Sequence, residues 1–353
     1  MDPLLPSHHD NIRLLEPLLF TSYRDNHEMP TTGAQKDKKM LLLVRRILTI
    51  LISLLGLGAL LLYLWSTLSL EALNDKTRES RNEQAIDTKH GKLAYTLEGP
   101  TDGPVFILVH GFSTPKFVWN QITPKLVSSG LRVVTFDHFG RGYSDRPDTL
   151  YDSDLYRYEL SQIIEQLDLT TPVTLVGYSM GGANVVDFAA SHPDLVKELI
   201  LIAPAGYMGE SSMSWLAKPI IGDWIATVFG RQYAVSSIAS EVEAGNAPQE
   251  MLPLFEEQAG FKGYTQALLS TLRNYPMGSM GERYRVVGET DIPVSAIWGT
   301  DDQVVPYCGL AEMADDVPQL HAITIDGGNH NITYAQADLV GQAILDILAG
   351  AGG

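Results

Sequence analysis

Residues 173–186 read Val173-Thr174-Leu175-Val176-Gly177-Tyr178-Ser179-Met180-Gly181-Gly182-Ala183-Asn184-Val185-Val186. The first residues are apolar or β-branched and favour a strand, while the residues from Ala183 onward suit a helix. Between them, Ser179 has Gly177 and Gly181 two positions away on either side, and a sharp strand-to-helix turn tolerates only such small neighbours. The pattern predicts that the Ser179 hydroxyl stands at the tip of this turn.

A serine in such a turn is the layout of a nucleophile elbow, in which the side-chain oxygen lies above the sheet. The N-terminus of the following helix can stabilise negative charge that forms beside it. The five-residue pattern is short, however, and a Gly/Ser turn without chemical meaning can carry the same letters. The interpretation therefore depends on the rest of the chain.

A nucleophilic serine needs a general base and an acid that orients the base. Late in the chain, His330 ends a Gly-rich loop that follows a strand, which places it at the carboxyl edge of the sheet. Asp301 and Asp302 follow the strand Val294 to Trp298 and either could hold the imidazole tautomer, although one of them can simply cap the turn. The order serine, acid, histidine is that of the elbow-bearing folds.

Donors for an oxyanion are expected on two backbone segments. His110-Gly111-Phe112 follows a central strand and brings backbone close to the turn, so the predicted donors are the N–H groups of Phe112 and Met180. Another strand-end loop, Asp137 to Ser144, is expected near the site. Its His138 is interpreted as structural rather than catalytic.

The periodicity of the chain predicts an α/β fold with a doubly wound, mostly parallel sheet. Short apolar runs alternate with helical spacing from residue 91 onward, except in residues 206–290, which lack strands and read as an inserted helical cap over the ligand-binding edge of the sheet. The predicted divisions are a polar, disordered tail 1–40, a transmembrane anchor 41–69, a stalk 70–90, a core formed by 91–205 and 291–353, and the cap 206–290.

Ile47 to Trp65 is an uncharged apolar run long enough to span a bilayer core of about 30 Å. Tyr63 and Trp65 lie at one end, where interfacial aromatic residues are common. No convincing cleavage site follows, so a retained single-pass anchor is favoured over a signal peptide. Five basic residues precede the run and three follow it, which predicts a cytoplasmic N-terminus and a catalytic domain on the outer side: Lys36, Lys38, Lys39, Arg45 and Arg46 against Lys76, Arg78 and Arg81.

Composition limits the partners. The net charge is -17, and residues 47–353 carry 18 basic against 36 acidic side chains, which argues against nucleic acid as a partner. The single Cys308 excludes an internal disulfide framework and a multi-cysteine zinc site. No metal or cofactor is predicted, and the oligomeric state stays open.

Residues 92–350 resemble the α/β-hydrolase-fold family. Five motifs carry the resemblance in the family's order: His110-Gly111-Phe112, Asp137 to Ser144, Gly177 to Gly181, Gly299-x-x-Asp302-x-x-x-Pro306 and Gly327-Gly328-x-His330. The register of the fourth motif favours Asp302 over Asp301 as the acid. His110, Gly111, Gly177 and Gly181 would support the site.

The resemblance implies that Ser179 attacks a carbonyl, His330 relays the proton and water cleaves the acyl-enzyme. The elbow and the Ala203-Pro204-Ala205-Gly206 segment resemble monoacylglycerol-lipase-like esterases and the meta-cleavage-product C–C hydrolases. With the anchor and the apolar cap, the expected function is hydrolysis of carboxylic esters with an apolar acyl group or a lipid-like substrate. A C–C bond hydrolase, a cofactor-free perhydrolase and a non-catalytic binding protein remain alternatives.

Overall fold

A computed structural model of the chain describes residues 32–209, 216 and 218–350. The chain divides into two compact units between Gly58 and Ala59. In the first unit, the described residues are helical from Thr32 onward. The second unit contains the sheet and the candidate site.

The sheet of the second unit has eight strands: β1 Gln84–Thr88, β2 Gly91–Glu98, β3 Val105–Val109, β4 Arg132–Phe136, β5 Val173–Tyr178, β6 Val196–Ile202, β7 Val294–Gly299 and β8 Leu320–Ile325. They lie in the order β1-β2-β4-β3-β5-β6-β7-β8. The pairs from β4 to β8 are parallel, and β2 is antiparallel to both β1 and β4. The expected α/β class with a mostly parallel sheet is confirmed.

The central strands are buried along their whole length, because helices cover both faces of the parallel part of the sheet. Every residue of β3, β5 and β7 is buried, which explains their continuous apolar sequences. The helices outside the connection between β6 and β7 are α1 Thr32–Leu68, α2 Asp75–Ser80, α3 Thr123–Ser128, α4 Ser153–Gln166, α5 Met180–Ser191, α11 Gly309–Asp316, α12 Ile332–Ala335 and α13 Ala337–Leu348.

Between β6 and β7 lies a helical insertion, residues 203–293, in which the described residues form no strand. Its helices are α6 Ile221–Ile225, α7 Arg231–Glu243, α8 Met251–Ala259, α9 Tyr264–Asn274 and α10 Gly281–Gly288, and a π-helical turn, Ala226–Gly230, connects the first two. The predicted cap, 206–290, falls within this insertion. Its residues 210–215 and 217 lie outside the described residues.

Two sequence-based boundaries need correction. The stalk predicted over 70–90 is not a plain linker, because it contains α2 and the edge strand β1. Arg78 of α2 is buried and donates to the Tyr143 carbonyl at 2.8 Å, a long-range contact that local sequence cannot reveal. The tail predicted over 1–40 is helical from Thr32 onward, since good helix formers extend the apolar helix toward its N-terminus. Residues 1–31 lie outside the described residues.

Helix α1 is the one candidate membrane span among the described residues. Its segment Gln35–Leu68 has a mean hydropathy of 2.5 in the most apolar window, and none of that window is buried within the protein. By length and composition, the helix could cross a bilayer.

Candidate active site

Ser179 occupies a strained backbone conformation between β5 and α5. Its φ of 54° and ψ of -119° lie outside the regions that non-glycine residues ordinarily adopt. The turn is also crowded, because a Cβ on Gly177 would lie 2.5 Å from the Gly181 oxygen, and one on Gly181 would lie 2.1 Å from the Val109 oxygen. Glycine at both positions is therefore a steric requirement of the turn.

Ser179, His330 and Asp302 form one hydrogen-bonded chain. His330 Nε2 lies 3.0 Å from Ser179 Oγ, and His330 Nδ1 lies 2.8 Å from Asp302 Oδ2. The three residues come from the end of β5, the loop after β8 and the loop after β7, so the carboxyl edge of the sheet brings them together. This is the geometry in which an imidazole can take a proton from a serine while a carboxylate holds its orientation.

The surroundings of the two adjacent aspartates differ. Asp302 is 2% exposed, and its Oδ1 accepts hydrogen bonds from the N–H groups of Val304 and Val305, each at 2.8 Å. These bonds leave Oδ2 directed at His330. Asp301 is exposed, and its backbone N–H donates to the Gly328 carbonyl at 2.8 Å. The turn-forming role expected for one of the pair thus fits Asp301.

The loop with the predicted oxyanion donor lies against the nucleophile, since a Cβ on Gly111 would be 3.2 Å from Ser179 Cβ. His110 fixes its conformation. His110 Nε2 accepts the His138 N–H at 2.9 Å, so the ring proton is on Nδ1, which donates to the Gly111 carbonyl at 2.9 Å. Burial lowers the pKa of His110 well below its ordinary value, which keeps this tautomer neutral.

The His110 contact determines where the Phe112 N–H points. The Gly111–Phe112 peptide is trans, so its C=O and N–H point in opposite directions. With the carbonyl held by His110, the N–H faces away from the imidazole. In the part of the chain that the structure describes, neither the Phe112 nor the Met180 N–H donates to another protein group. Both are free to bind a ligand oxygen.

His138 lies apart from this hydrogen-bonded chain. It is fully buried, its Nδ1 is hydrogen-bonded to Glu159, and its Nε2 lies 3.1 Å from Asn184 Nδ2. Burial lowers the pKa of His138 to about 3 and raises the pKa of Glu159 well above its ordinary value. The structural interpretation of His138 therefore suits its surroundings.

Sequence reasoning missed several residues around the site. Tyr178 donates its hydroxyl hydrogen to the His330 carbonyl at 3.0 Å, and its ring lies 5.3 Å from the imidazole. Arg141 is fully buried and donates to the carbonyl of Phe112 at 3.0 Å. Both residues lie within the sequence motifs, Tyr178 in Gly177 to Gly181 and Arg141 in Asp137 to Ser144. Only the fold shows that their polar atoms face the loops of the site.

A family model described as "alpha/beta hydrolase fold" matches residues 104–334. The AB hydrolase superfamily protein YfhM of Bacillus subtilis is 26% identical over 286 residues, which cover 75% of this chain and 97% of that protein. The bifunctional esterase/perhydrolase DCH of Acinetobacter calcoaceticus is 26% identical over 275 residues, 74% of this chain and 97% of that one. The enol-lactonase of Burkholderia xenovorans LB400 shares the fold with a TM-score of 0.65, at 18% identity, over 75% of this chain and 100% of that one.

The chain therefore belongs to the α/β-hydrolase fold family. The resemblance drawn from the five motifs is confirmed at this level. The relatives include enzymes of differing chemistry, so membership in the family does not by itself define a reaction.

Proposed function

We propose that this protein is a serine hydrolase that cleaves carboxylic esters with an apolar acyl group. The observation that carries the proposal is the continuous hydrogen-bonded chain from Ser179 through His330 to Asp302. A serine hydroxyl is a weak nucleophile until a neighbouring base removes its proton. Here His330 would be the base and Asp302 the carboxylate that orients it.

In the proposed reaction, His330 Nε2 takes the proton of Ser179 Oγ while that oxygen attacks the ester carbonyl carbon. The N–H groups of Phe112 and Met180 bind the resulting oxyanion, and the N-terminus of α5 adds a favourable field. His330 then gives the proton to the leaving alcohol, and an acyl-enzyme on Ser179 remains. Water, activated by His330, releases the acid and regenerates the serine. Asp302 holds Nδ1–H and stabilises the imidazolium throughout.

We also propose that α1 anchors the enzyme in a membrane, with the N-terminus in the cytoplasm and the catalytic domain on the outer side. The support is the length and hydropathy of the Gln35–Leu68 segment and the excess of basic residues before it. An anchored enzyme of this kind would meet lipid-like esters at the bilayer surface, which favours an apolar acyl group as the substrate class.

The test is turnover of p-nitrophenyl esters from acetyl to palmitoyl by the full chain in detergent, with Ser179→Ala as the comparison. We expect an optimum beyond acetyl and a fall in kcat of at least about 10⁴-fold in the variant, because the nucleophile is lost. Equal rates at every chain length would contradict the acyl preference. Absence of ester turnover by folded wild type would contradict the esterase proposal, and perhydrolase and C–C substrates would then be assayed.

A further inference from the structure

Helix α9 of the helical insertion contacts the loop that carries the predicted oxyanion donor. Three consecutive carbonyls of this loop, those of Gly111, Phe112 and Ser113, each accept a hydrogen bond from a buried side chain. The first donor, His110, belongs to the loop itself. Of the other two donors, Tyr264 belongs to α9 and Arg141 contacts it, and α9 is distant from this loop in sequence.

One of these contacts is direct. Tyr264, the first residue of α9, is buried, and its hydroxyl donates to the Ser113 carbonyl at 3.2 Å. Helix α9 also lies very close to the core at this point, because a Cβ on Gly140 would be 2.2 Å from the Ala267 Cβ. The loop after β4 therefore admits α9 only because residue 140 has no side chain.

The second contact runs through Arg141. Its Nε donates to the Phe112 carbonyl at 3.0 Å, and its Nη2 donates to Thr271 Oγ1 of α9 at 2.9 Å. Thr271 is itself fixed, since its hydroxyl lies 2.8 Å from the Ala267 carbonyl and 2.7 Å from the Tyr156 hydroxyl. A guanidinium is planar and rigid, so Thr271, together with the Phe139 carbonyl that accepts from Nη1 at 3.2 Å, sets the direction in which Nε donates.

These contacts constrain both sides of the Phe112 Cα. His110 holds the peptide before it, and Arg141 holds the peptide after it. With both peptide planes fixed, the Phe112 N–H has one direction relative to Ser179. An oxyanion donor is effective only when its direction is set before the reaction, because reorientation during the reaction costs free energy.

We propose that α9 positions the oxyanion donor. Its two positioning residues are Tyr264, which contacts the loop directly, and Thr271, which acts through Arg141. The inference rests on the proposed serine hydrolase function and adds that α9, alone among the described helices of the insertion, is part of the catalytic apparatus. An insertion that moves away from the core would loosen the Phe112 N–H and slow acylation.

The experiment compares Tyr264→Phe with Tyr207→Phe in the full chain. Tyr207 is also in the insertion, and its hydroxyl donates to Asp316 Oδ2 at 3.0 Å instead of to a carbonyl of the loop 110–113. We expect Tyr264→Phe to lower kcat by about 10-fold with KM within about twofold, because a misdirected donor is felt in the transition state and not in substrate binding. Tyr207→Phe keeps the wild-type kcat.

A second pair tests the Arg141 route. Thr271→Val removes the acceptor of Arg141 Nη2 and should lower kcat by a similar factor. Thr271→Ser keeps the hydroxyl and should have a kcat close to that of wild type. An unchanged kcat in both Tyr264→Phe and Thr271→Val, or a rise in KM alone, would overturn the inference.

Amide hydrogen exchange over residues 109–114 supplies a readout that needs no substrate. We expect faster exchange in Tyr264→Phe and Thr271→Val than in Tyr207→Phe, because the loop opens more often once its carbonyls are released. Equal exchange in all three variants would refute positioning by α9 even if esters are cleaved. Faster exchange in a protein that cleaves no ester would support the positioning and contradict the esterase function instead.

Discussion

Asp302 and Asp301 are neighbours with the same chemistry and different surroundings, so they form a matched pair of substitutions. Asp302→Asn replaces the carboxylate beside His330 Nδ1 with an amide that can favour the wrong imidazole tautomer. We expect kcat to fall by about 10⁴-fold, with KM little changed. Steady-state kinetics on the preferred p-nitrophenyl ester measures this.

Asp301→Asn is the control, because the Asp301 side chain is exposed and its Oδ1 accepts from the Thr300 hydroxyl, whereas the imidazole contacts Asp302. We expect its kcat to remain within about twofold of wild type, as surface substitutions usually have small effects. A large loss in Asp301→Asn with activity retained in Asp302→Asn would reverse the assignment of the acid.

The residues of the site differ in how far sequence could predict them. Ser179, Asp302 and His330 each stand in a short motif at the end of a strand, and parallel strands bring such ends to one edge. Arg141 and Tyr264 could not be predicted as partners of the Phe112 loop, because their contacts span 29 and 151 residues. Nothing in the local pattern distinguishes Tyr264 from an ordinary core tyrosine of the insertion.

At the scale of elements, the packing of α5 against β3 depends on a bare backbone at Gly181. A methyl group there would meet the backbone oxygens of Val109 and His110 at 2.1 and 2.6 Å, and these atoms belong to β3 and to the loop that follows it. We expect Gly181→Ala to destabilise the fold by about 3 kcal/mol, since an overpacked core cannot relax without moving the backbone. The thermal unfolding midpoint measures the loss.

Gly341→Ala in α13 is the corresponding control. Gly341 is also a buried helical glycine. The nearest atom to an added Cβ, however, is a side-chain carbon of Lys125 at 3.0 Å, which can move aside. Because alanine has a higher helix propensity than glycine, the substitution should leave the free energy of unfolding unchanged or raise it by up to about 1 kcal/mol. Equal destabilisation by both substitutions would show that the close approach at Gly181 is not the cause.

Elements of the sheet core were the most predictable, because burial on both faces leaves a continuous apolar signal, as in β3 and β5. The edge strand β1 gave no such signal. Only Ile86 of its five residues is buried and Asp87 is exposed, so the sequence predicts this segment as part of a charged stalk. Pairing with β2, a tertiary interaction, makes it a strand.

At the scale of the whole molecule, the chain has one cysteine, Cys308, and its side chain is exposed in the second unit. The cysteine can therefore report on which side of a membrane the catalytic domain lies. The excess of basic residues before the apolar run of α1 predicts that this domain is on the outer side. A membrane-impermeant maleimide should then label Cys308 in intact spheroplasts of a bacterial host that expresses the full chain.

The controls use the same chemistry on the N-terminal side of the apolar run 47–65. Cys308→Ser should abolish labelling, and Lys38→Cys added to that variant should be labelled only after the membrane is permeabilised. Labelling of Cys308 only after permeabilisation, with Lys38→Cys reacting in intact spheroplasts, would invert the orientation. Recovery of the protein in the soluble fraction would remove the anchor from the proposal and leave the chemistry at Ser179 untouched, because that chemistry depends only on contacts within the second unit.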